Sequence, residues 1–412
     1  MAQLLSSLAE FDRPRLADLV DRLTNGFVGP TRDIYVKAGV PYLLARHVRN
    51  GRLSFDRQTF VSPTFNEKYK KSTLKAGDVL LVQSGHIGHA AVVGSDHDGH
   101  NCHAMIVITP KPSLLLGEFL SYFFSSPEMR LAFEAMRSGS TVPHLTCAAV
   151  RELRVPLPAL DEQRREVATL DEALEGIAKA KAIAVTNRQL ARDLAARQRE
   201  LLFAAGAGHW PVRPLAEVAT ILNGFAFKST DFRSTPGVRS IKITNVGVNE
   251  FVAEAGNYLP AEFCEIRAGV AVPQGCIVFA LTRTVIAGGL KVAMVPPEFD
   301  GALLNQRVAA IQPHASHLAT TFLYAYLSTS EVMHYVKSRV NTLMQPNLAI
   351  ADLRLLPVPV PALCDQHALL GSFQKIEAAS LKLQSVYLRK LAALDELKHS
   401  LLHQAFSGGL SR

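Results

Sequence analysis

The sequence predicts an α+β protein built twice: two repeated mixed domains of strands and short helices, separated by two long helices that pair antiparallel as a coiled coil. Three observations predict it. Blocks of sequence recur in the same order in both halves. Within each half, short β-branched runs such as LLVQ, IVIT, CIVFAL and VAAIQ alternate with Gly, Pro, Asn and Asp, the grammar of strands and turns. Each half then closes on a proline-free stretch rich in Ala, Leu, Glu, Lys, Arg and Gln, the grammar of a long helix.

The repeat fixes the order of elements. Leu16-Ala17-Asp18-Leu19 followed by Asn25-Gly26-Phe27 returns as Leu215-Ala216-Glu217-Val218 followed by Asn223-Gly224-Phe225. Farther on, Val155 to Gln163 (VPLPALDEQ) returns as Val358 to Gln366 (VPVPALCDQ), with Thr141 to Leu145 and Met344 to Leu348 in the same register. The first domain is expected over 1–158, with a short N-terminal segment, and the second over 209–361. Each contains an amphipathic stretch, Gly117 to Arg137 and Ala319 to Val340, expected as one helix packed on a sheet.

The long helices fall in 159–208 and in 362–412, the latter with a C-terminal tail. In the second, Leu369, Phe373, Ile376, Ser380, Leu383 and Tyr387 lead, through a stutter, into Leu391, Leu394, Lys398, Leu401 and Ala405. The first begins cleanly with Val167, Leu170, Leu174 and Ile177, weakens at Lys181 and Ala184, and recovers at Leu190, Leu194 and Leu201. Neither seam is self-sufficient, so the helices are expected to pair, giving a rod of roughly 60 to 70 Å.

Composition narrows the class. With 412 residues, 48% hydrophobic and 19% charged, the chain can bury sizeable cores. A net charge of +8 and a pI near 9.2 favour a polyanionic partner. The five cysteines (Cys102, Cys147, Cys264, Cys276, Cys364) form no CxxC pair and are expected to be reduced thiols. The N-terminal MAQLLSSLAEFDRPR has no leader pattern, and the longest apolar run is broken by Pro273, Gln274 and Arg283. An unexported cytoplasmic protein with no membrane partner is expected.

Taken together, the repeated domains, the two Pro-x-Pro-Ala-Leu-x-(Glu/Asp)-Gln helix starts, the Asn-Gly-Phe blocks and the ending Leu401-Leu-His-Gln-Ala-Phe-Ser-Gly-Gly-Leu410 resemble the specificity subunit of type I restriction-modification systems. The similarity covers nearly the whole chain. It implies two target-recognition domains, each reading one half of a bipartite asymmetric site in double-stranded DNA. It also implies that the helices set the spacing and dock two methyltransferase subunits, which a restriction subunit with motor and nuclease activity can join. Cys364 and Asp365 depart from the pattern that Asp161 and Glu162 keep, and Phe203-Ala-Ala-Gly206 departs from the C-terminal Ala405-Phe-Ser-Gly408.

Intrinsic catalysis finds no support. There is no GxxxxGK(S/T), no Asn- or Asp-Pro-Pro-aromatic motif, no glycine-rich loop suited to S-adenosylmethionine and no GxSxG, so no cofactor is expected. The stretch Gly85 to Val107, with five histidines, two aspartates and a cysteine, invites a metal reading. Its second copy keeps the Asp98-Gly99 turn as Asp300-Gly301 yet holds no histidine, which disfavours a structural ion and leaves turn residues or DNA contacts.

Candidate DNA contacts are Arg46, His47, Arg49, Lys68, Lys70, Lys71, His86 and His89 in the first domain, and Lys228, Lys242, Asn245, Arg283, Lys291 and Arg307 in the second. Arg and Asn are the better base readers, whereas Lys usually meets phosphate. Glu162, Gln163, Asp365 and Gln366 read either as first-turn caps or as partner-docking groups, and Leu401 and Phe406 as core or docking groups. A stand-alone bipartite DNA-binding regulator or scaffold remains the alternative, and a metal-dependent nuclease a more distant one.

Overall fold

The computed structural model describes residues 13–49, 51–55, 57–136, 144–253, 258–286, 288–340 and 347–407. The segments Thr141–Pro143 and Met344–Pro346 of the repeat, and the ending after Ser407, lie outside them. The chain divides into two compact units, Met1–Val185 with Leu388–Arg412, and Thr186–Tyr387. The division falls inside both long helices, so each unit holds one globular head and a portion of each helix.

In the first unit, β1 (Val20–Asn25), β2 (Val79–Val82), β3 (Ala90–Val92) and β4 (Met105–Pro110) form an antiparallel sheet ordered β1-β4-β2-β3. Its central strands read as unbroken apolar runs because both faces are covered. Val79, Leu81, Ile106 and Ile108 face a core holding Phe119, Leu120 and Phe124, while Leu80, Val82, Met105 and Val107 face Leu43, Val48 and Leu74.

The second unit repeats this topology. The strands β5 (Ala219–Asn223), β6 (Ile277–Ala280), β7 (Val292–Met294) and β8 (Val308–Pro313) form a sheet ordered β5-β8-β6-β7. A smaller sheet beside each carries one parallel pair, Leu43 against Cys102 and Ile241 against Leu304. The Asn-Gly-Phe blocks serve that junction. A Cβ at Gly26 would lie 2.8 Å from the Cys102 carbonyl oxygen, and one at Gly224 only 2.1 Å from that of Asn305, so only glycine lets the backbones meet.

Each amphipathic stretch is two helices rather than the single one expected: α1 (Gly117–Ser125) and α2 (Pro127–Ala135) in the first head, then α4 (Thr320–Leu327) and α5 (Ser330–Arg339) in the second. The breaks are local chemistry. Ser126 precedes a proline, adopts extended backbone and accepts the Met129 N–H; Thr329 is likewise extended and accepts the Val332 N–H.

The long helices are α3 (Leu160–Gly206) and α6 (Leu363–Phe406), and they pair antiparallel within each unit. In the first, Lys181 pairs with Asp395, and Leu170 shares a core with Leu402. In the second, Ser380 donates to the Ala191 carbonyl at 2.6 Å and Arg199 lies 5.5 Å from the Phe373 ring centroid. The seam of α3 differs from expectation here. Ala191 and Ala195 are buried, whereas Leu190, Leu194 and Leu201 are 58%, 57% and 59% exposed. Alanines allow the close approach that Ser380 needs, and the leucines turn outward. Among the described residues, no helix is long and apolar enough to cross a membrane.

Candidate nucleic-acid interface

The two heads frame the same loop with the same bonds and fill it with different side chains. After β2, the Gln83 carbonyl accepts the Leu145 N–H at 2.9 Å; after β6, the Leu281 carbonyl accepts the Leu348 N–H at 2.8 Å. Ser84 bridges to His144 as Thr282 bridges to Asn347. At the far end, Val82 N–H donates to His89 O and Ala280 N–H donates to Lys291 O. Inside this frame the first head presents Gly85, His86 and His89, and the second presents Arg283 and Lys291.

His86 and His89 are exposed, with ring centroids 5.6 Å apart. Desolvation, then the charges of His86, Arg130 and Lys398, hold the His89 imidazole below its ordinary range. Lys291 donates to the Ile243 carbonyl at 2.6 Å. Arg283 has φ +48° where Gly85 has +73°, so both loops turn through the left-handed region, at a cost of roughly 1–2 kcal/mol for a residue with a side chain.

A groove of about 460 Å³ runs beside the first loop, lined by His86, His89, Arg130, Lys398, Tyr122 and Leu402. Lys398 is half-buried; desolvation, then Lys181 and Arg130, lower its pKa. The sequence missed Arg130 and treated Lys398 as a seam residue. Their counterparts, counted from the helix starts Ser126 and Thr329 and from Phe406 and Phe203, are the uncharged Met333 and Ala195, so the fold itself does not call for these cations.

Among the remaining candidates, Arg46, Arg49, Lys68, Lys70, Lys71, Lys228 and Arg307 are exposed. Arg49 Nε donates to the Arg46 carbonyl at 3.0 Å, Lys68 lies 5.5 Å from the Tyr69 ring centroid and Lys70 pairs with Glu67. Lys242 lies 3.6 Å from the Phe232 ring centroid. Two candidates move inward. His47 is 2% exposed: its Nδ1 accepts the Leu44 N–H at 3.1 Å and its Nε2 lies 3.0 Å from the Arg57 carbonyl oxygen. Asn245 is fully buried, accepting the Lys242 N–H and donating to the Val252 carbonyl, each at 2.8 Å. Neither side chain is free to meet a base.

Of the docking candidates, Gln163, Gln366 and Phe406 are turned inward. Gln163 is buried, accepting the Leu116 N–H at 2.9 Å and donating to the carbonyls of Leu114 and Pro158 at 2.8 and 2.9 Å. Gln366 repeats this with the Ala319 N–H and the carbonyls of His317 and Pro361. Leu116 and Ala319 are the N-cap residues of α1 and α4, so each glutamine clamps a long helix to the start of a head helix. Phe406 is 4% exposed and packs 5.2 and 5.5 Å from Phe119 and Phe123. Leu401 is half-buried against the same core, Glu162 is half-buried and Asp365 is exposed.

The histidine-rich stretch is dispersed by the fold. His100 stacks on Phe55 with His97 against it. His97 ends the short turn that Phe299 ends in the second head, just before an aspartate that accepts a backbone N–H in both copies. His103 bonds Tyr42, and desolvation pushes the buried Cys102 thiol up to about 12. Among the described residues, no group of three or more His, Cys, Asp or Glu could hold a metal ion.

A frame repeated bond for bond, carrying loops whose side chains differ between copies, defines a two-headed recognition protein. The chain matches the type I restriction modification DNA specificity domain over residues 10–187 and again over 208–385, and it belongs to that family. It is 25% identical over 353 residues to the MjaVIII specificity subunit of Methanocaldococcus jannaschii, covering 82% of this chain and 79% of that one. It is 25% identical over 150 residues to the EcoBI specificity subunit of Escherichia coli, covering 36% and 31%. A chain solved in work on assembly and conformational transition of the type I restriction-modification system shares the fold at TM-score 0.70, with 18% identity over 97% of this chain and 98% of that one. The HsdS subunit of Thermoanaerobacter tengcongensis shares it at TM-score 0.51, with 18% identity over 97% of each.

Proposed function

We propose that this chain is the non-catalytic, DNA-reading subunit of a type I restriction-modification complex. Each head reads one half of a bipartite asymmetric site, and the length of the long helices sets the gap between the halves. The carrying observation is the repeated frame with dissimilar loops: one scaffold held constant, two surfaces free to prefer different bases. Direct contacts come from Arg46, Arg49, Lys68, Lys70, Lys71, His86 and His89 in the first head, and from Lys228, Lys242, Arg283, Lys291 and Arg307 in the second. The groove cations Arg130 and Lys398 extend the first surface along a phosphate track.

Two methyltransferase subunits dock on the helices, joined by restriction subunits. The outward Leu190, Leu194 and Leu201 of α3, with Leu381 at 61% exposure on α6, offer the apolar surface for this, in place of the buried glutamines. The test is co-expression with a type I methyltransferase subunit followed by methylome sequencing. A bipartite asymmetric adenine motif is expected, and exchanging residues 13–158 for another head should rewrite one half alone. A continuous palindrome, or no new motif, overturns the proposal.

A further inference from the structure

Resting on that DNA-reading role, the geometry points to Arg283 and Arg307 as the residues with which the second head reads a guanine. Both are departures from the first head at one edge of the same frame. Where the first loop turns on Gly85, which adopts a left-handed φ without strain, the second turns on Arg283, whose Cβ makes φ +48° unfavourable. Arg307 is an added residue. In the first head Ala104, whose N–H bonds the Phe27 carbonyl, is followed at once by Met105, which pairs with Val82. In the second, Gln306 bonds the Phe225 carbonyl and Val308 pairs with Ala280, leaving Arg307 between them.

The insertion sits beside the turn. The Leu281 N–H donates to the Arg307 carbonyl at 2.8 Å, and Arg283 lies two residues past Leu281. Both arginines are exposed, and among the described residues neither guanidinium has a hydrogen bond, ion pair or ring contact. A strained residue and an inserted one, both long and cationic with no internal partner, do not serve the fold. A phosphate contact asks only for charge, which a lysine supplies as well. The paired N–H groups of a guanidinium match O6 and N7 of guanine across the major groove.

The experiment uses the full chain co-expressed with its methyltransferase, comparing wild type, Arg283→Gly, Arg307→Ala and the double variant by methylome sequencing and by competition binding to duplexes. Because glycine suits the turn, Arg283→Gly should melt no lower than wild type. We expect the half-site assigned to the second head to lose its requirement for a guanine, with discrimination falling roughly 5- to 150-fold, while the other half is unchanged. An unchanged motif in the double variant, a second half-site with no obligatory guanine, or a uniform loss of binding with the motif intact each overturns the assignment. If wild type yields no bipartite motif, the broader reading falls with it, which separates the two failures.

Discussion

Replacing the buried Gln163 by alanine removes three hydrogen bonds, to the Leu116 N–H and to the Leu114 and Pro158 carbonyls. At about 1 kcal/mol each, the loss is about 3 kcal/mol, and more where a stranded backbone group stays dry. In a unit of about 200 residues that lowers the melting temperature by roughly 6–12 °C. The assay separates the units because the single tryptophan, Trp210, packs on Phe203 and Phe322 in the second. Gln366→Ala should shift the transition seen by tryptophan fluorescence. Gln163→Ala should shift only the other part of the far-ultraviolet circular dichroism transition. Refutation would be a Gln163→Ala chain that melts like wild type but no longer co-elutes with the methyltransferase, because the glutamine would then be a docking group and not a clamp.

Phe406→Ala should destabilise the first unit by about 3–5 kcal/mol, read by urea unfolding, since the ring is enclosed by Phe119 and Phe123; a loss below 1 kcal/mol would contradict the packing. Desolvation holds the imidazoles of His89, His100 and His103 below their ordinary range, so the unfolded chain binds protons more readily than the folded one. Their contribution is complete above the unfolded value of about 6.5 and is lost as pH falls from there through the lower folded value. Acidification from about pH 7.5 to about 5.5 should therefore lower the melting of the first unit more than the tryptophan-reported transition, whose corresponding positions are Lys291, Ala302 and Asn305; an equal fall in both would count against it. Lys398→Ala should weaken DNA binding without changing the methylated motif and should flatten the log–log salt slope by about 0.9, as expected for one lost phosphate contact.

The duplication, the strand grammar and the two helices were legible because each is a pattern in residue order. What escaped was decided by how the chain folds back on itself, some of it locally and some of it between elements far apart in sequence. His47 and Asn245 carry side chains suited to base edges, but backbone groups of Leu44, Arg57, Lys242 and Val252, a few residues away in each loop, claim them first, and residue type alone does not reveal those turns. The outward turn of Leu190 and Leu194 was hidden because a heptad reading favours leucine over alanine, whereas the bond from Ser380 to Ala191 demands small residues at that contact. The helix breaks at Ser126 and Thr329 were legible in principle: a Ser-Pro step and a run of hydroxyl residues are N-cap signals that the amphipathic periodicity overrode. Arg130 and Lys398 come together only when α2 and α6 meet, so no reading along the chain could have paired them.

The clamp also gives a physical account of how the heads can diverge without losing their place on the helices. Gln163 bonds only to backbone atoms, and Gln366 makes the same three bonds although its partners are His317 and Ala319 where the first head has Leu114 and Leu116. A joint that reads backbone is indifferent to side chains, so any head that presents the α1 N-cap, with the Pro-x-Pro that leads into the long helix, in this geometry can seat on either helix. The second joint asks for little more: Phe406 meets Phe119 and Phe123, and Phe203 meets Phe322 and Tyr326, an aromatic contact that tolerates exchange of one ring for another. Variation in the β2–β3 and β6–β7 loops is thereby uncoupled from both joints. A transplanted head should fail when it lacks this backbone geometry or these aromatic rings, whatever bases its loops read.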